Sequence, residues 1–183
     1  NTNVVLGEEF KHIFGSETQK LCTFNINYEV SPQSFLQVNF DVQNKIYKEV
    51  LENISQDSSV INAYSGAGLL SAIISQKAKW VYGIEIVEPA TKNADKLKCV
   101  NNIQNMTNIT GDCAIELPKL VNKISTDNLT VVLDPPRKGC DSKVLEAISA
   151  VKPSKILYVS CNSATLARDV KLLLNDYNNK TII

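Results

Sequence analysis

The sequence predicts an α/β protein built on a doubly wound, mostly parallel sheet. From Val60 onward, short apolar runs typical of buried strands alternate with longer segments of helical periodicity. Parallel strands need a long crossover between them, and such crossovers are right-handed and usually helical. The chain contains no repeats and no low-complexity tract. One sheet with helices on both faces therefore accounts for the pattern.

The predicted elements follow one another at regular intervals. The predicted strands of the sheet are residues 60–64, 80–84, 107–110, 130–133 and 155–159. The predicted helices are residues 69–77, 89–100, 114–121, 142–151 and 164–175, after an earlier helix with Val42, Ile46 and Val50 spaced by four. Pro89 opens its helix, where its missing N–H would have no partner anyway.

Two regions of the chain differ in pattern. Residues 1–55 hold strand-like stretches at 4–6 and 22–28 and then the first helix, whereas residues 56–183 hold the strand–helix alternation. We therefore expect an N-terminal lead-in followed by a sheet domain. The chain starts without Met, and residues 180–183 are typical of the start of a strand. We expect the domain to be truncated at both ends and to lack its last strands.

Composition excludes several classes of protein. Of 183 residues, Lys and Arg together number 19, as do Asp and Glu, so there is no basic excess typical of a free-standing nucleic-acid binder. A catalytic domain that relies on another module for affinity is not excluded. Without an apolar run near 18 residues or a signal peptide, we expect no membrane partner and a cytoplasmic location. Five cysteines without a C-x-x-C pair predict no metal site.

The first strand of the sheet leads into a glycine loop, Ser65-Gly-Ala-Gly-Leu69. Gly66 and Gly68 allow a tight turn and close approach of a ligand to the backbone. Glu85 ends the second strand, where a carboxylate can accept hydrogen bonds from ribose hydroxyls, and Asp112 follows the third strand. Each feature alone also fits a turn or a helix cap. Together they favour a nucleoside-bearing cofactor, either NAD or S-adenosylmethionine.

The segment Asp134-Pro-Pro-Arg137 follows the next strand and separates the two cofactors. Consecutive prolines fix an extended backbone without N–H donors, so that carbonyls and flanking side chains face a ligand. A nicotinamide enzyme has no evident need for such a segment, which leaves hydride transfer with NAD as a minor alternative. A rigid turn without function is the structural alternative.

Cys161 lies between the apolar run at 156–159 and the last helical segment. A thiol at the carboxyl end of a buried strand lies where open α/β sheets place their chemistry. The dipole of the following helix favours thiolate over thiol there. Two strand-end motifs, one acidic and one nucleophilic, indicate an enzyme active site.

Taken in order, several segments resemble the RNA 5-methyluridine methyltransferases. They are residues 3–7, residues 31–39, the loop with Tyr64, Gly66 and Gly68, residues 134–137, and Ser160-Cys-Asn-Ser-Ala-Thr-Leu-Ala-Arg-Asp169. The resemblance covers nearly the whole chain, and the Ser-Cys-Asn segment is its specific part. It implies a Rossmann-like methyltransferase fold, with the ribosomal RNA branch favoured.

The resemblance also implies roles for individual residues. Cys161 corresponds to the catalytic nucleophile, and Arg137 and Asn162 border the target base. The implied S-adenosylmethionine contacts are Gln37, Tyr64, Gly66, Gly68, Glu85 and Asp134, with Asp112 near the adenine. The chain departs from the family pattern at Ser163, where Pro is usual, at Asn62, where Asp is frequent, and at Leu69, where a polar residue is common.

We therefore expect the catalytic domain, residues 56–183, of an enzyme that methylates C5 of uridine in RNA through a cysteine adduct. The favoured substrate is 23S ribosomal RNA, with transfer RNA as the other choice, and we expect a monomer. The resemblance implies that the family's general base and RNA-binding barrel, and any N-terminal iron–sulfur cluster, belong to segments outside this chain, so we expect the isolated chain to be poorly active. The alternatives are a methyltransferase for guanine or adenine amino groups, and a non-catalytic nucleoside- or RNA-binding fragment.

Overall fold

The computed structural model describes residues 11, 13–16, 18–30 and 39–174. Its first elements form an antiparallel hairpin of β1 (Gln19–Thr23) and β2 (Ile26–Val30). The turn between them places Phe24 and Asn25 at φ of 48° and 62°, the left-handed pair that a two-residue hairpin turn requires. The prediction of one strand over residues 22–28 is therefore wrong. The sequence lacks the Asn-Gly or Asp-Gly signal that usually marks such a turn.

The remaining elements confirm the predicted alternation, with boundaries shifted by one or two residues. A helix, α1 (Phe40–Glu52), comes first. The strands are β3 (Ser59–Ala63), β4 (Trp80–Glu85), β5 (Met106–Thr110), β6 (Leu129–Leu133) and β7 (Lys155–Tyr158). The helices between and after them are α2 (Leu69–Ser75), α3 (Glu88–Val100), α4 (Cys113–Val121), α5 (Ser142–Val151) and α6 (Ser163–Leu173).

The five later strands form one parallel sheet in the order β5-β4-β3-β6-β7. The chain runs outward from β3 to β4 and β5, then returns past β3 to β6 and β7. The order therefore reverses beside β3, and the crevice outside its carboxyl end is where open α/β sheets bind ligands. The predicted doubly wound α/β fold is confirmed.

The core lies on both faces of this sheet because side chains alternate along each strand. Val60 packs with Val50 of α1 and Ile74 of α2, whereas its neighbour Ile61 packs on the other face with Leu117 of α4 and Ile148 of α5. All five residues of β6 are buried, as expected for a central strand covered on both faces. The sheet thus forms a rigid base for the loops at its carboxyl edge.

Helix α1 packs onto the sheet with only part of its predicted apolar face, to which Ile46 and Val50 belong. Val50 is buried, but Val42 is 48% exposed, and the polar side chain of Gln43 is buried instead.

The proposed division of the chain into two regions between residues 55 and 56 stays a prediction. No helix in the described part of the chain is long and apolar enough to cross a membrane.

Candidate active site

The candidate site lies along the carboxyl edge of the parallel sheet. The glycine loop follows β3, Glu85 ends β4, and Asp112 follows β5. On the other side of β3, Asp134 follows β6 and Cys161 follows β7. Parallel strands end at the same edge, so the topology brings these predicted residues to one side of the molecule.

The glycine loop is held in left-handed backbone conformations. Tyr64, Gly66 and Gly68 have φ of 63°, 54° and 82°. A Cβ atom at Gly68 would lie 2.6 Å from the Cβ of Ala94, whereas a Cβ at Gly66 would meet nothing within 4 Å. Gly68 therefore permits α2 to pack against α3, and the backbone at Gly66 faces open space that a ligand can occupy.

Glu85 is fixed by two backbone amides. Its Oε2 accepts a hydrogen bond from the Gly66 N–H at 2.8 Å, and its Oε1 accepts one from the Val87 N–H at 2.9 Å. Each carboxylate oxygen keeps a second lone pair for a ligand hydroxyl. The arrangement suits recognition of a ribose diol, and it joins the glycine loop to the end of β4.

Two apolar residues beside Glu85 were missed by sequence reasoning. Ile86 is 63% exposed and Val87 is 51% exposed, although both are large hydrophobic side chains directly after a buried strand. They provide an apolar surface next to the carboxylate, suited to the flat face of a nucleobase. Their position after a strand-end acid was the signal available in the sequence.

Asp112 acts as a helix cap. Its Oδ1 accepts a hydrogen bond from the Ala114 N–H at 2.9 Å at the start of α4, and the residue is exposed. The capping alternative that the sequence left open is therefore correct for one oxygen of this carboxylate. A contact with adenine through the other oxygen stays a prediction.

The Tyr64 ring is half-buried against the core. It lies against the apolar cluster formed with α4 and α5, and burial raises the pKa of its phenol, with the neighbouring thiols of Cys140 and Cys113 adding to the effect. Burial likewise raises the pKa of Cys113 to about 11, and that of Cys140 to about 11. These two thiols are protonated at neutral pH and unsuited to nucleophilic attack.

Asp134 lies in a partly dehydrated position at the end of β6. The residue is exposed, but protein atoms around its carboxylate displace part of its water and raise its pKa. Tyr47 of α1 lies near enough that the Asp134 charge adds to burial in raising the pKa of the Tyr47 phenol. Gln43, 3% exposed, donates from Nε2 to the Tyr47 hydroxyl at 2.8 Å. Sequence reasoning missed this pair, because the burial of Gln43 follows from the packing of α1.

Cys161 is exposed and lies one residue before the N-cap of α6. The Ser160 hydroxyl donates to the Asn162 carbonyl at 3.0 Å and accepts from the Asn162 N–H at 3.1 Å. Asn162 caps α6, because its Oδ1 accepts from the Ala164 N–H at 3.0 Å. The thiol is thus presented to solvent from a short, hydrogen-bonded turn at the helix start.

The acidic and nucleophilic loops are joined directly. The carbonyl of Arg137 accepts a hydrogen bond from Asn162 Nδ2 at 3.3 Å. The Thr165 hydroxyl shares its proton between this carbonyl at 3.3 Å and the Asn162 carbonyl at 3.1 Å. The Arg137 side chain remains exposed. The structure therefore brings Arg137 and Cys161 into neighbouring loops, and Thr165 is a further contributor that sequence reasoning missed.

Some predicted residues lie outside the described residues, namely Gln37 and the segments 3–7 and 31–38. Asn39, the last residue of the second segment, caps α1 through its Oδ1. In the part of the chain that the structure describes, no group of three His, Cys, Asp or Glu side chains could hold a metal ion. Asn62, which stands where the family often has Asp, donates to Ser71 at 2.9 Å and leaves its own Oδ1 unpaired.

Comparisons with known proteins agree with this geometry. An uncharacterized RNA methyltransferase of Oceanobacillus iheyensis is 43% identical over 175 residues, and one of Enterococcus faecalis is 42% identical over 175 residues. Each alignment covers 94% of this chain and 38% of the relative, so the chain spans well under half the length of these curated relatives.

A solved structure provides a further comparison. The Pyrococcus abyssi tRNA (uracil-54, C5)-methyltransferase in complex with S-adenosyl-L-homocysteine is 27% identical, with a TM-score of 0.76 over 89% of this chain and 39% of that one. The model of the tRNA (uracil-5-)-methyltransferase family matches residues 8–181. With nearly the whole sequence matched, this chain belongs to the tRNA (uracil-5-)-methyltransferase family.

Proposed function

We propose that this chain is the catalytic part of an S-adenosylmethionine-dependent enzyme that methylates C5 of uridine in RNA, with Cys161 as the nucleophile. The observation that carries the proposal is the junction between the two loops. Cys161, an exposed thiol at the start of α6, is held beside the Asp134–Arg137 segment by the hydrogen bonds of Asn162 and Thr165 to the Arg137 carbonyl.

The residues at the β3 and β4 ends fit S-adenosylmethionine. The open space over Gly66 allows the cofactor to approach the backbone closely. The Glu85 carboxylate has free lone pairs for the ribose hydroxyls. The exposed side chains of Ile86 and Val87 suit the nucleobase. When bound, the cofactor supplies an electrophilic methyl group on a sulfonium. Asp134, partly dehydrated, offers a negative charge whose attraction for a cation is stronger than it would be in water. Gln37, Tyr64 and Asp112 remain predicted contacts.

The reaction follows from the poor nucleophilicity of C5 in uracil. The Cys161 thiolate adds to C6, forming an S–C6 bond and pushing the electron pair of the C5–C6 double bond onto C5, which becomes enolate-like. C5 would then bond to the methyl carbon of the bound cofactor while the sulfonium–methyl bond breaks, and the cofactor would leave as the neutral thioether S-adenosylhomocysteine. A base removes the C5 proton, the C5–C6 double bond re-forms, and the S–C6 bond breaks to release Cys161. In this proposal, Arg137 and Asn162 border the base while it reacts.

The substrate is proposed to be an unpaired uridine. A base inside a duplex cannot be reached by a thiol, so the target must be unstacked, which a loop allows more readily than a helix. The sequence favours 23S ribosomal RNA, whereas the family description and the Pyrococcus abyssi structure name transfer RNA. Incubation with each RNA under the same conditions, followed by quantification of 5-methyluridine, decides between them. A monomeric state and a cytoplasmic location stay predictions.

The test of the reaction uses RNA labelled with tritium at C5 of uridine and excess protein over RNA. We expect one tritium released to water for each methyl group transferred, and neither event with Cys161→Ser. Even slow methyl transfer is sufficient for this test, because the ratio of released tritium to transferred methyl groups identifies the atom that is methylated. Methyl transfer that leaves the tritium in free RNA, with no RNA bound covalently to the protein, would contradict the proposal and favour methylation of an amino group. No transfer, with the thiol inert to iodoacetamide, would favour a non-catalytic RNA-binding fragment.

A further inference from the structure

Asp169 is the one charged side chain that is fully buried among the residues that the structure describes, with 0% exposure. It lies in the second turn of α6, and the mechanism above gives it no role. A carboxylate is removed from water only where strong hydrogen bonds replace its hydration. Its partners therefore show what this carboxylate holds in place.

The partners of Asp169 come from three parts of the chain. Its Oδ2 accepts from the Tyr158 hydroxyl of β7 at 2.6 Å and from the Cys140 N–H at 2.8 Å. Its Oδ1 accepts from Nε of the adjacent Arg168 at 2.8 Å. One carboxylate thus connects β7, α6 and the loop that follows Asp134–Arg137.

Arg168 extends the same connection along that loop. Its guanidinium donates to the Lys138 carbonyl at 2.9 Å and to the Cys140 carbonyl at 3.4 Å. Gly139 lies between them at φ of 79°, where a Cβ would lie 2.5 Å from both Arg168 and Asp169. The loop is therefore pressed onto α6 so closely that only glycine fits at its centre.

The loop contacts lie along a single face of α6. Four residues on this face contact the segment 137–140, and they are spaced by three, three and one positions: Asn162, Thr165, Arg168 and Asp169. Residues three and four apart are neighbours on a helix surface. The same helix presents Cys161 from its start, so whatever fixes this face relative to the loop also fixes the thiol relative to Asp134 and Arg137.

We infer that Asp169 is a positioning residue for the methyl transfer: through Tyr158, Cys140 and Arg168 it holds the 137–140 loop against α6 and thereby sets the placement of Cys161 opposite the Asp134–Arg137 segment. This inference rests on the proposed function. A misplacement of about 1 Å at a reacting centre can reduce a rate by about 100-fold. Gly66 and Glu85, two of the residues that fit the cofactor, hydrogen-bond to each other and to Val87, whereas Tyr64 before them interacts with Cys140 of the network.

The experiment follows the formation of a covalent complex between the protein and RNA that contains 5-fluorouracil, in the presence of S-adenosylmethionine. Fluorine at C5 cannot leave as a proton does, so the adduct persists and its rate of formation at saturating RNA can be measured. We expect Asp169→Asn to form the adduct about 100-fold more slowly than the parent protein. The dissociation constant for S-adenosylmethionine should not change.

Two further variants separate positioning from general loss of stability. Tyr158→Phe removes one donor to Asp169 without removing its charge, and should slow the adduct by less than Asp169→Asn while the protein remains folded. Ile148→Val shortens a fully buried side chain of α5 in the apolar cluster that also contains Cys140. This variant should lower the melting temperature without slowing adduct formation.

Each outcome bears on one proposal or the other. If the parent protein forms the adduct and both Asp169→Asn and Tyr158→Phe form it at the parent rate, Asp169 is not a positioning residue. If the rate falls in all three variants in proportion to their melting temperatures, the role of Asp169 is structural only. If the parent protein forms no adduct, the proposed function fails, and this inference fails with it.

Discussion

The two halves of the sheet edge are built by different means. On the β3–β4 side, the backbone of the glycine loop adopts left-handed conformations, and the Gly66 N–H donates a hydrogen bond to the Glu85 carboxylate. On the β6–β7 side, the loops after Asp134 and around Cys161 are joined by side chains of α6 that reach a segment 25 to 30 residues earlier. The first half is a left-handed turn held to the end of β4 by one carboxylate, whereas the second is held by several side chains of one helix.

This difference indicates how each half should fail. A turn that approaches a ligand through its backbone is sensitive to any added Cβ atom, and its failure should appear as weak cofactor binding. A pair of loops held by buried side chains can keep its shape only while the hydrogen bonds remain, and its failure should appear as a lower rate. Substitutions in the two halves should therefore affect different measurements.

The largest effect should come from the nucleophile. Replacing Cys161 with Ala should reduce methyl transfer by at least about 10³-fold, because among the described residues it is the exposed thiol that follows a strand at this edge. Binding of S-adenosylmethionine, measured by calorimetry, should stay unchanged. Replacing the exposed Cys99 of α3 in the same way is the matched control and should change neither quantity. Methyl transfer by Cys161→Ala at the rate of the parent protein would show that the β6–β7 half of the edge does not supply the nucleophile.

The next effect concerns stability and its dependence on pH. Burial alone would raise the pKa of Asp169, but the hydrogen bonds from Tyr158, the Cys140 N–H and Arg168 outweigh it and lower the pKa. The ionised carboxylate thus stabilises the fold fully above its unfolded pKa of about 3.9, and this stabilisation is lost as pH falls through the lower folded value. We expect Asp169→Ala to cost about 3 kcal/mol at pH 7, because it leaves buried donors unpaired.

Urea unfolding between pH 7 and pH 3 checks this prediction. The difference between the parent and Asp169→Ala should be constant near neutral pH and shrink below about pH 4. Asp134→Asn provides a control of opposite sign. Partial dehydration raises the pKa of Asp134, so removing its charge should stabilise the fold at neutral pH, and the gain should disappear as the pH falls through the raised value. The gain should be small, because the residue is exposed and solvent screens its charge. A pH-independent difference for Asp169→Ala would contradict the role given to its charge.

The glycine loop offers a matched pair of substitutions. Gly66→Ala and Gly68→Ala both place a methyl group on a left-handed residue, at a cost of about 1 kcal/mol, but only the second collides with Ala94. Gly68→Ala should therefore be less stable than Gly66→Ala by about 1 to 2 kcal/mol.

Cofactor binding should give a different result for this pair. Gly66→Ala fills the open space proposed for the ligand and should weaken S-adenosylmethionine binding in calorimetry despite its small effect on stability. Unchanged binding by Gly66→Ala would show that the ligand does not approach the loop there.

The smallest effect should occur at the start of α6. Ser163 is the first residue of the helix and follows Asn162, whose φ of −138° and ψ of 106° are the extended values that a residue before proline requires. Ser163→Pro should therefore stabilise the protein by about 0.5 kcal/mol. Ala164→Pro is the control: it removes the N–H that Asn162 accepts and should destabilise by about 1 kcal/mol. Thermal unfolding measures both.

The sequence was sufficient to predict the sheet and much of the site. Apolar runs such as 130–133 and the helices between them have periodicities that local physics determines, and parallel strands must end at one edge. Gly66, Glu85, Asp134 and Cys161 could therefore be assigned to that edge from their positions after strands.

Other features could not be predicted because they depend on tertiary contacts. The turn at Phe24 and Asn25 lacks the usual glycine, and Gln43 is buried because α1 packs with a polar residue toward Tyr47. The contacts of Thr165 and Asp169 with the 137–140 loop join residues 28 and 29 positions apart. No local pattern encodes such pairs, since their partners are set by how α6 lies against the loop.

The most direct test of the account is mass spectrometry of the complex trapped with 5-fluorouracil RNA and S-adenosylmethionine. After digestion of protein and RNA, we expect the peptide containing Cys161 to carry a fluorouridine nucleotide that has gained one methyl group. Such a product requires both halves of the edge to act on the same base. A methylated RNA with no adduct, or an adduct on Cys22 or Cys99 instead of Cys161, would contradict the account.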